Sequence, residues 1–127
     1  MKSSNLVKRK VLIAEDDEDI RDLFSLILER EGWEVNQAKD GKEALEKILE
    51  WQPDLLILDY HMPELTGLEV YNYLQLLEIE IVIILMSSHA YLEKIATDVG
   101  INYYIRKPCT ITQILQTVNL AYTKSKV

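Results

Sequence analysis

The sequence predicts an α/β domain in which a parallel sheet carries helices on both faces. Short β-branched runs alternate with stretches of helical spacing five times along 127 residues, the pattern of repeated strand–helix units. The strand runs are apolar throughout rather than alternating, as expected of strands covered on both sides. No linker, short-period repeat or low-complexity segment interrupts the pattern, and the length suits a single domain.

Lys10 to Ala14 (KVLIA) reads as the first strand, broken abruptly by Glu15-Asp16-Asp17-Glu18-Asp19. Ile20, Leu23, Phe24, Ile27 and Leu28 then fall at i, i+3, i+4, i+7 and i+8, with Asp17 as N-cap and Gly32 as stop. Glu34 to Ala38 is a weaker strand. Asp40-Gly41 turns into a helix carrying Ala44, Leu45, Ile48 and Leu49. Leu55 to Leu58 is a strand that ends at Asp59, and the following helix turns Leu68, Tyr71, Leu74 and Leu77 inward. Glu80 to Met86 is the fourth strand, with Ser87-Ser88-His89 as its exit. Leu92, Ile95, Ala96 and Val99 mark a short helix stopped by Gly100. Asn102 to Ile105 is the fifth strand, and Ile111, Ile114, Leu115, Val118 and Tyr122 mark the last helix. Residues 1–9 are read as an N-terminal extension, 10–123 as the domain and 124–127 as a tail.

Composition excludes several classes. With 48% hydrophobic and 28% charged residues the chain is globular rather than disordered. The apolar run Ile81 to Met86 is far short of a membrane span, and MKSSNLVKRK lacks the apolar core of a signal peptide. A net charge of −7 argues against a broad nucleic-acid-binding face, and Lys8-Arg9-Lys10 is too short a basic cluster to alter that. The single cysteine, Cys109, cannot form an internal disulfide, so a reducing cytoplasmic location is expected.

In an open parallel sheet, ligands bind beyond the carboxyl ends of the strands. Those ends carry Glu15-Asp16, Asp59, Ser87-Ser88 and Arg106-Lys107. If the first strand lies beside the third, three carboxylates converge with a hydroxyl and an ammonium on the flank. Such crowding calls for raised pKa values or a cation, and oxygen ligands of this kind suit Mg²⁺ or Mn²⁺. Asp17, Glu18 and Asp19 read instead as a helix first turn, where carboxylates favour the dipole end. A lone Asp such as Asp59 serves equally well as a turn former, and a lone Lys107 as a solvated lysine; the four strand ends together are the more specific signal.

The segments VLIAEDDEDIR, LLILDYHMPELTGLEV, IVIILMSSHA and YYIRKP resemble the signature blocks of two-component response-regulator receiver domains, from about Lys10 to Tyr122. The resemblance extends to stand-alone chemotaxis-type and sporulation-type receivers. It implies a flavodoxin-like three-layer sandwich with strand order 2-1-3-4-5. By position, Asp59 resembles the phosphoacceptor. Glu15 and Asp16 resemble the acidic pair, with Asp16 a direct Mg²⁺ ligand beside Asp59 and the His61 backbone carbonyl. Ser87 matches the switch hydroxyl, Lys107 the lysine of the site, and Tyr104 the aromatic switch. Pro108 corresponds to a proline after a cis bond. The implied function is a signalling switch rather than an enzyme, one that catalyses only its own phosphorylation and dephosphorylation. Its phosphoryl donor would be a histidine kinase or histidine phosphotransfer protein, its downstream partner is unspecified, and neither direct nucleic-acid binding nor membrane insertion is implied.

The segment from Ser87 to Lys107 is slightly shorter than the usual family pattern, which bears on the fourth helix. His61 and His89 lie two residues beyond Asp59 and Ser87, positions the resemblance associates with phosphoryl-group lifetime; from the residues alone they read as two exposed loop histidines. Cys109 reads as a small, half-buried residue rather than a low-pKa thiol at a helix start. A phosphatase of the haloacid-dehalogenase type would need a second Asp where His61 stands, and room for a cap domain. A flavodoxin-like cofactor binder would need Ser, Thr and Gly after the first strand, where this chain has five acids. No output segment follows the fifth helix, so the sequence suits either a stand-alone regulator or a receiver cut from a larger regulator or hybrid kinase.

Overall fold

The computed structural model describes residues 8–125. Its elements alternate strictly: β1 (Lys10–Ala14), α1 (Glu18–Arg30), β2 (Glu34–Ala38), α2 (Gly41–Trp51), β3 (Leu55–Asp59), α3 (Gly67–Leu76), β4 (Val82–Ser87), α4 (Leu92–Val99), β5 (Tyr103–Arg106) and α5 (Ile111–Ser125). The strands form one parallel sheet in the order 2-1-3-4-5, the flavodoxin-like arrangement that the sequence resemblance implies. Residues 1–7 of the expected N-terminal extension, including the start weighed as a leader, lie outside the described residues, as do 126 and 127 of the tail. No helix among the described residues is long and apolar enough to cross a membrane.

The pleat divides the core into two layers. Leu12, Ala14, Leu56, Leu58, Ile83 and Leu85 point to the side covered by α2, α3 and α4. Their neighbours Val11, Ile13, Leu55, Ile57, Ile84 and Met86 point to the side covered by α1 and α5. All five residues of β3 are buried. Each aliphatic side chain taken from water in this way contributes about 1.5–3 kcal/mol against the entropy of ordering the chain.

Helix starts follow local chemistry. The Asp17 carboxylate accepts the Ile20 N–H at 3.1 Å, and the Asp40 carboxylate accepts the Glu43 N–H at 2.8 Å. Thr66 and Glu69 form a reciprocal capping box, and Thr110 with Gln113 repeats that exchange at α5. Gly32 and Gly100 take φ of +90° and +88° past the ends of α1 and α4, where a side chain would be strained.

Several expected details change. Leu23, Leu49 and Ile111 are about half exposed, because each lies at the edge of its helix's apolar arc. Leu77 is also exposed: α3 ends at Leu76, and Val70 with Leu74 forms its buried face. β4 begins at Val82 rather than Glu80 and reaches Ser87, and β5 is shifted by one residue to Tyr103–Arg106. Between Ser87 and Lys107, where the resemblance implies a shortened segment, α4 has eight residues and its start has no side-chain cap. Of the basic cluster, Arg9 stacks over Trp33 at 4.4 Å and donates to the Glu31 carbonyl, while Lys10 donates to the Trp51 carbonyl.

Candidate active site at the carboxyl ends of the strands

β1, β3, β4 and β5 end together, and each delivers one member of the site. Glu15 follows β1 and is fixed by its N–H to the Ala38 carbonyl of β2 at 3.0 Å. Asp59 is the last residue of β3 and Ser87 the last of β4. Lys107 follows β5, and its backbone N–H donates to the Ser87 carbonyl at 2.8 Å. Glu15, Asp59 and Ser87 are buried, Lys107 keeps about a fifth of its side chain exposed, and Asp16 stands at the solvent rim.

The Lys107 ammonium holds the centre. Its Nζ lies 3.0 Å from Glu15 Oε1 and 3.4 Å from Asp59 Oδ1. Glu15 Oε2 accepts the Asp17 N–H at 3.3 Å. Asp59 Oδ1 is buried and makes no hydrogen bond, leaving only its longer ion pair with Lys107. Buried polar oxygens are nearly always satisfied, so this one marks a place prepared for another group.

Electrostatics point the same way. Burial pushes the Asp59 carboxyl above its usual range, although Glu15, Lys107 and the His61 amide pull it down. Burial and then the neighbouring Asp59 raise Glu15, and burial and then Glu15 raise Asp16. Burial alone would lower Lys107, but the facing carboxylates of Glu15 and Asp59 hold it above its usual value. Carboxylate oxygens of Glu15, Asp16 and Asp59 lie within 4.8 Å of one another, so the three could hold a cation between them. Three oxygen donors, crowding that opposes ionisation and an unsatisfied Asp59 oxygen together fit a hard divalent ion such as Mg²⁺.

The other expected residues divide. Ser87 stands at the end of β4, and its Oγ accepts the His89 N–H at 3.0 Å. The Tyr104 ring is half-buried on the α4 side, and burial and the Glu93 carboxylate raise its hydroxyl pKa. His61 is exposed and meets the Tyr60 ring edge-on at 4.5 Å. His89 is not a simple exposed loop residue. Its Nδ1 accepts the Tyr91 N–H at 3.0 Å, its ring lies 6.0 Å from Tyr60, and its carbonyl accepts from Arg106. Cys109 is half-buried, and burial raises its thiol pKa. The Lys107–Pro108 bond is cis.

Sequence reasoning missed Gly67 and Arg21. Gly67 donates to the Tyr60 carbonyl at 2.9 Å, and a Cβ there would run into the Asp59 carbonyl and lie 3.0 Å from Tyr60 Cα. A glycine directly after a capping threonine was the available signal. Gly67→Ala is expected to destabilise the fold by about 2 kcal/mol through this backbone collision, read as a lower urea midpoint; an unchanged midpoint would show that the loop yields freely. Arg21 reaches back from α1 to the Glu15 carbonyl at 2.8 Å and so steadies the acidic loop.

The family described as response regulator receiver domain matches residues 11–119. The alkaline phosphatase synthesis transcriptional regulatory protein PhoP of Bacillus subtilis is 31% identical over 95% of this chain, which spans about half of that protein's length. Sporulation initiation phosphotransferase F of the same organism is 29% identical over 89% of this chain and 93% of its own. Among solved structures, the Francisella response regulator 1452 receiver domain superposes with a TM-score of 0.85 at 29% identity, covering 93% of this chain and 99% of that one. The chemotaxis response regulator CheY4 of Vibrio cholerae gives 0.83 at 29% identity, covering 91% and 99%.

Proposed function

The chain belongs to the response regulator receiver domain family, and from that premise we propose that Asp59 takes a phosphoryl group from a histidine kinase or a histidine phosphotransfer protein. The observation that carries this assignment is the Asp59 carboxylate itself, buried at a strand end with one oxygen unsatisfied and Lys107 at 3.4 Å. In the transfer, an Asp59 oxygen forms the new bond to phosphorus while the bond from phosphorus to the donor imidazole breaks, and the electron pair leaves with the imidazole.

Phosphoryl transfer asks little of a protein except positioning and charge. The Lys107 ammonium, anchored by Glu15, is placed to neutralise one phosphoryl oxygen. The Ser87 hydroxyl accepts from the His89 amide and keeps its own proton to donate to another. Receiver domains bind Mg²⁺ in an acidic pocket, and Glu15, Asp16 and Asp59 form such a group here. We assign the ion, Mg²⁺ or Mn²⁺, to Asp16 and Asp59 with the His61 backbone carbonyl, and Glu15 to the surrounding shell. When bound, the ion would supply positive charge beside the Asp59 carboxylate, in addition to that of Lys107. His61 stands two residues after the nucleophile, where the phosphatase alternative would need a second Asp as its acid/base, which disfavours that alternative. The protein acts as a switch and catalyses only its own phosphorylation and dephosphorylation. The side chains of His61 and His89 flank Tyr60 near Asp59, where they can tune the phosphoryl-group lifetime.

The direct test is incubation with a phosphorylated histidine phosphotransfer protein, or with acetyl phosphate, in the presence of Mg²⁺. Intact-mass analysis is expected to show one added phosphoryl group; no gain with either donor overturns the proposal. For the metal, Asp16→Asn is expected to weaken Mg²⁺ binding by tenfold or more, on the order of the effect of losing one hard-ion ligand. Asp19→Asn should change it little, because Asp19 lies in the first turn of α1. Calorimetry with both variants checks this, and equal losses would misplace the acidic group.

For the output, a phosphoryl group on Asp59 draws the Ser87 hydroxyl inward, and the Tyr104 ring moves into the space behind it, reshaping the α4–β5–α5 surface. Beryllofluoride is expected to shift the Tyr104 ring signals in wild type and much less in Ser87→Ala. An unchanged Tyr104 environment at saturated Asp59 would refute this route.

A further inference from the structure

Charge is distributed unevenly along this chain. Residues 48–93 contain eight acids and no Lys or Arg, so this stretch carries −8 while the rest of the chain is +1. That stretch includes the end of α2, all of α3 and the loop into β4. Large apolar side chains are exposed on these helices: Leu49 on α2 is 54% exposed, Tyr73 and Leu76 on α3 are 47% and 79% exposed, and Leu77 just past its end is 52% exposed. Tyr73, Leu76 and Leu77 follow i, i+3, i+4 spacing and form a ridge, and Leu49 stands on the neighbouring helix.

A cleft of roughly 380 Å³ lies between the end of α2, which carries Leu49, and the loop that follows α3. Leu49, Pro53, Ile79 and Ile81 line it, and Glu80 stands on its lip. Glu50, Glu78 and Glu80 are exposed and make no salt bridge among the described residues. The surface is therefore apolar at its centre and acidic at its rim.

We propose that the α2–α3 face, with its Leu49 cleft, Tyr73–Leu76–Leu77 ridge and acidic rim, docks a basic amphipathic helix of a partner protein. A helix offers leucine-type side chains at matching i, i+3, i+4 spacing and seats them along the groove between two packed helices. Lysine or arginine on its flanks would meet Glu50, Glu78 and Glu80, favouring encounter and excluding acidic partners. A second copy of this chain is a poor occupant, because the same uncompensated negative charge would face itself. The face lies on the helices that cover one side of the sheet and is separate from the phosphoryl site, so the proposal stands or falls independently of the role of Asp59.

The test uses the full chain and a fluorescent synthetic helix of leucine and lysine with leucine at i, i+3, i+4 and i+7. A counterpart with glutamate in place of lysine is the control. Anisotropy is expected to show binding of the leucine–lysine helix only, with amide NMR shifts confined to α2, α3 and the loop before β4. Leu76→Ser with Leu77→Ser should weaken binding about tenfold or more, as expected from losing two buried leucine contacts. Glu78→Gln with Glu80→Gln should weaken it several-fold and flatten its salt dependence. Leu120→Ser, a substitution of an exposed leucine on the opposite layer, should leave it unchanged. Absence of binding, equal weakening by Leu120→Ser, or shifts mapping elsewhere would overturn the proposal. So would sedimentation showing a wild-type dimer that Leu76→Ser dissociates, which would assign the face to self-association.

Discussion

Asp59→Asn is expected to abolish phosphoryl incorporation altogether, because the amide cannot supply the attacking carboxylate oxygen. Intact mass after acetyl phosphate and Mg²⁺ should stay at the unmodified value, and incorporation equal to wild type would move the acceptor elsewhere. The same substitution should stabilise the metal-free protein at neutral pH. Burial raises the pKa of Asp59, so the folded state holds that proton more tightly than the unfolded chain does. A raised carboxyl contributes stability that is full below its unfolded value, near 3.8, and lost as pH rises through the folded value. At pH 7 the ionised Asp59 therefore costs stability, only partly offset by Lys107, which keeps Glu15 at 3.0 Å in the variant. The expected gain is on the order of 1 kcal/mol, a few degrees in Tm. It should shrink as pH falls through the acid range, where wild-type Asp59 takes up its proton. A thermal series in EDTA checks this, and a destabilised variant at pH 7 would contradict the sign.

Lys107→Ala is expected to slow phosphorylation by about 10²–10³-fold, the effect of removing one preorganised group from the charge developing on a transferred oxygen. Asp59 remains in place, so the modification should still occur at long times. Magnesium affinity should hold or rise, because the competing ammonium is gone. Lys107→Arg should recover only part of the rate, since a planar fork does not reproduce a point charge set between Glu15 and Asp59. Single-turnover transfer from acetyl phosphate measures the rate and calorimetry the metal. A loss smaller than threefold, with the metal bound normally, would remove Lys107 from the transfer.

Much of this was legible in the sequence because the sheet is covered on both faces. Strands such as Leu55 to Leu58 then carry no polar residue until their ends, so Asp59, Ser87 and Lys107 stand out against an apolar background. Caps were equally readable at Asp17 and Asp40, where a short side chain meets a free amide. The helix edges were not. Leu23, Leu49, Leu77 and Ile111 match the periodicity, but their burial depends on how far the neighbouring elements extend, which no local spacing encodes. Gly67 escaped because its constraint is a backbone approach between residues eight positions apart. The setting of His89 escaped because two of its partners, Tyr60 and Arg106, come from other segments of the chain.

The exit of β5 is stitched to the exit of β4 at two successive residues. Arg106 donates to the His89 carbonyl, and the Lys107 amide donates to the Ser87 carbonyl. One of these bonds comes from a guanidinium, but the other ties the backbone of Lys107 directly to the backbone of Ser87, the residue that carries the hydroxyl. A displacement of either is carried to the other without a flexible joint between them. In the proposed switch, Ser87 and Lys107 are therefore expected to respond jointly, which disfavours intermediate states in which only one has responded. The expected behaviour is a sharp, two-position response to occupancy of Asp59, with its abruptness set by the Lys107–Ser87 backbone bond as much as by the side chains proposed to meet the phosphoryl group.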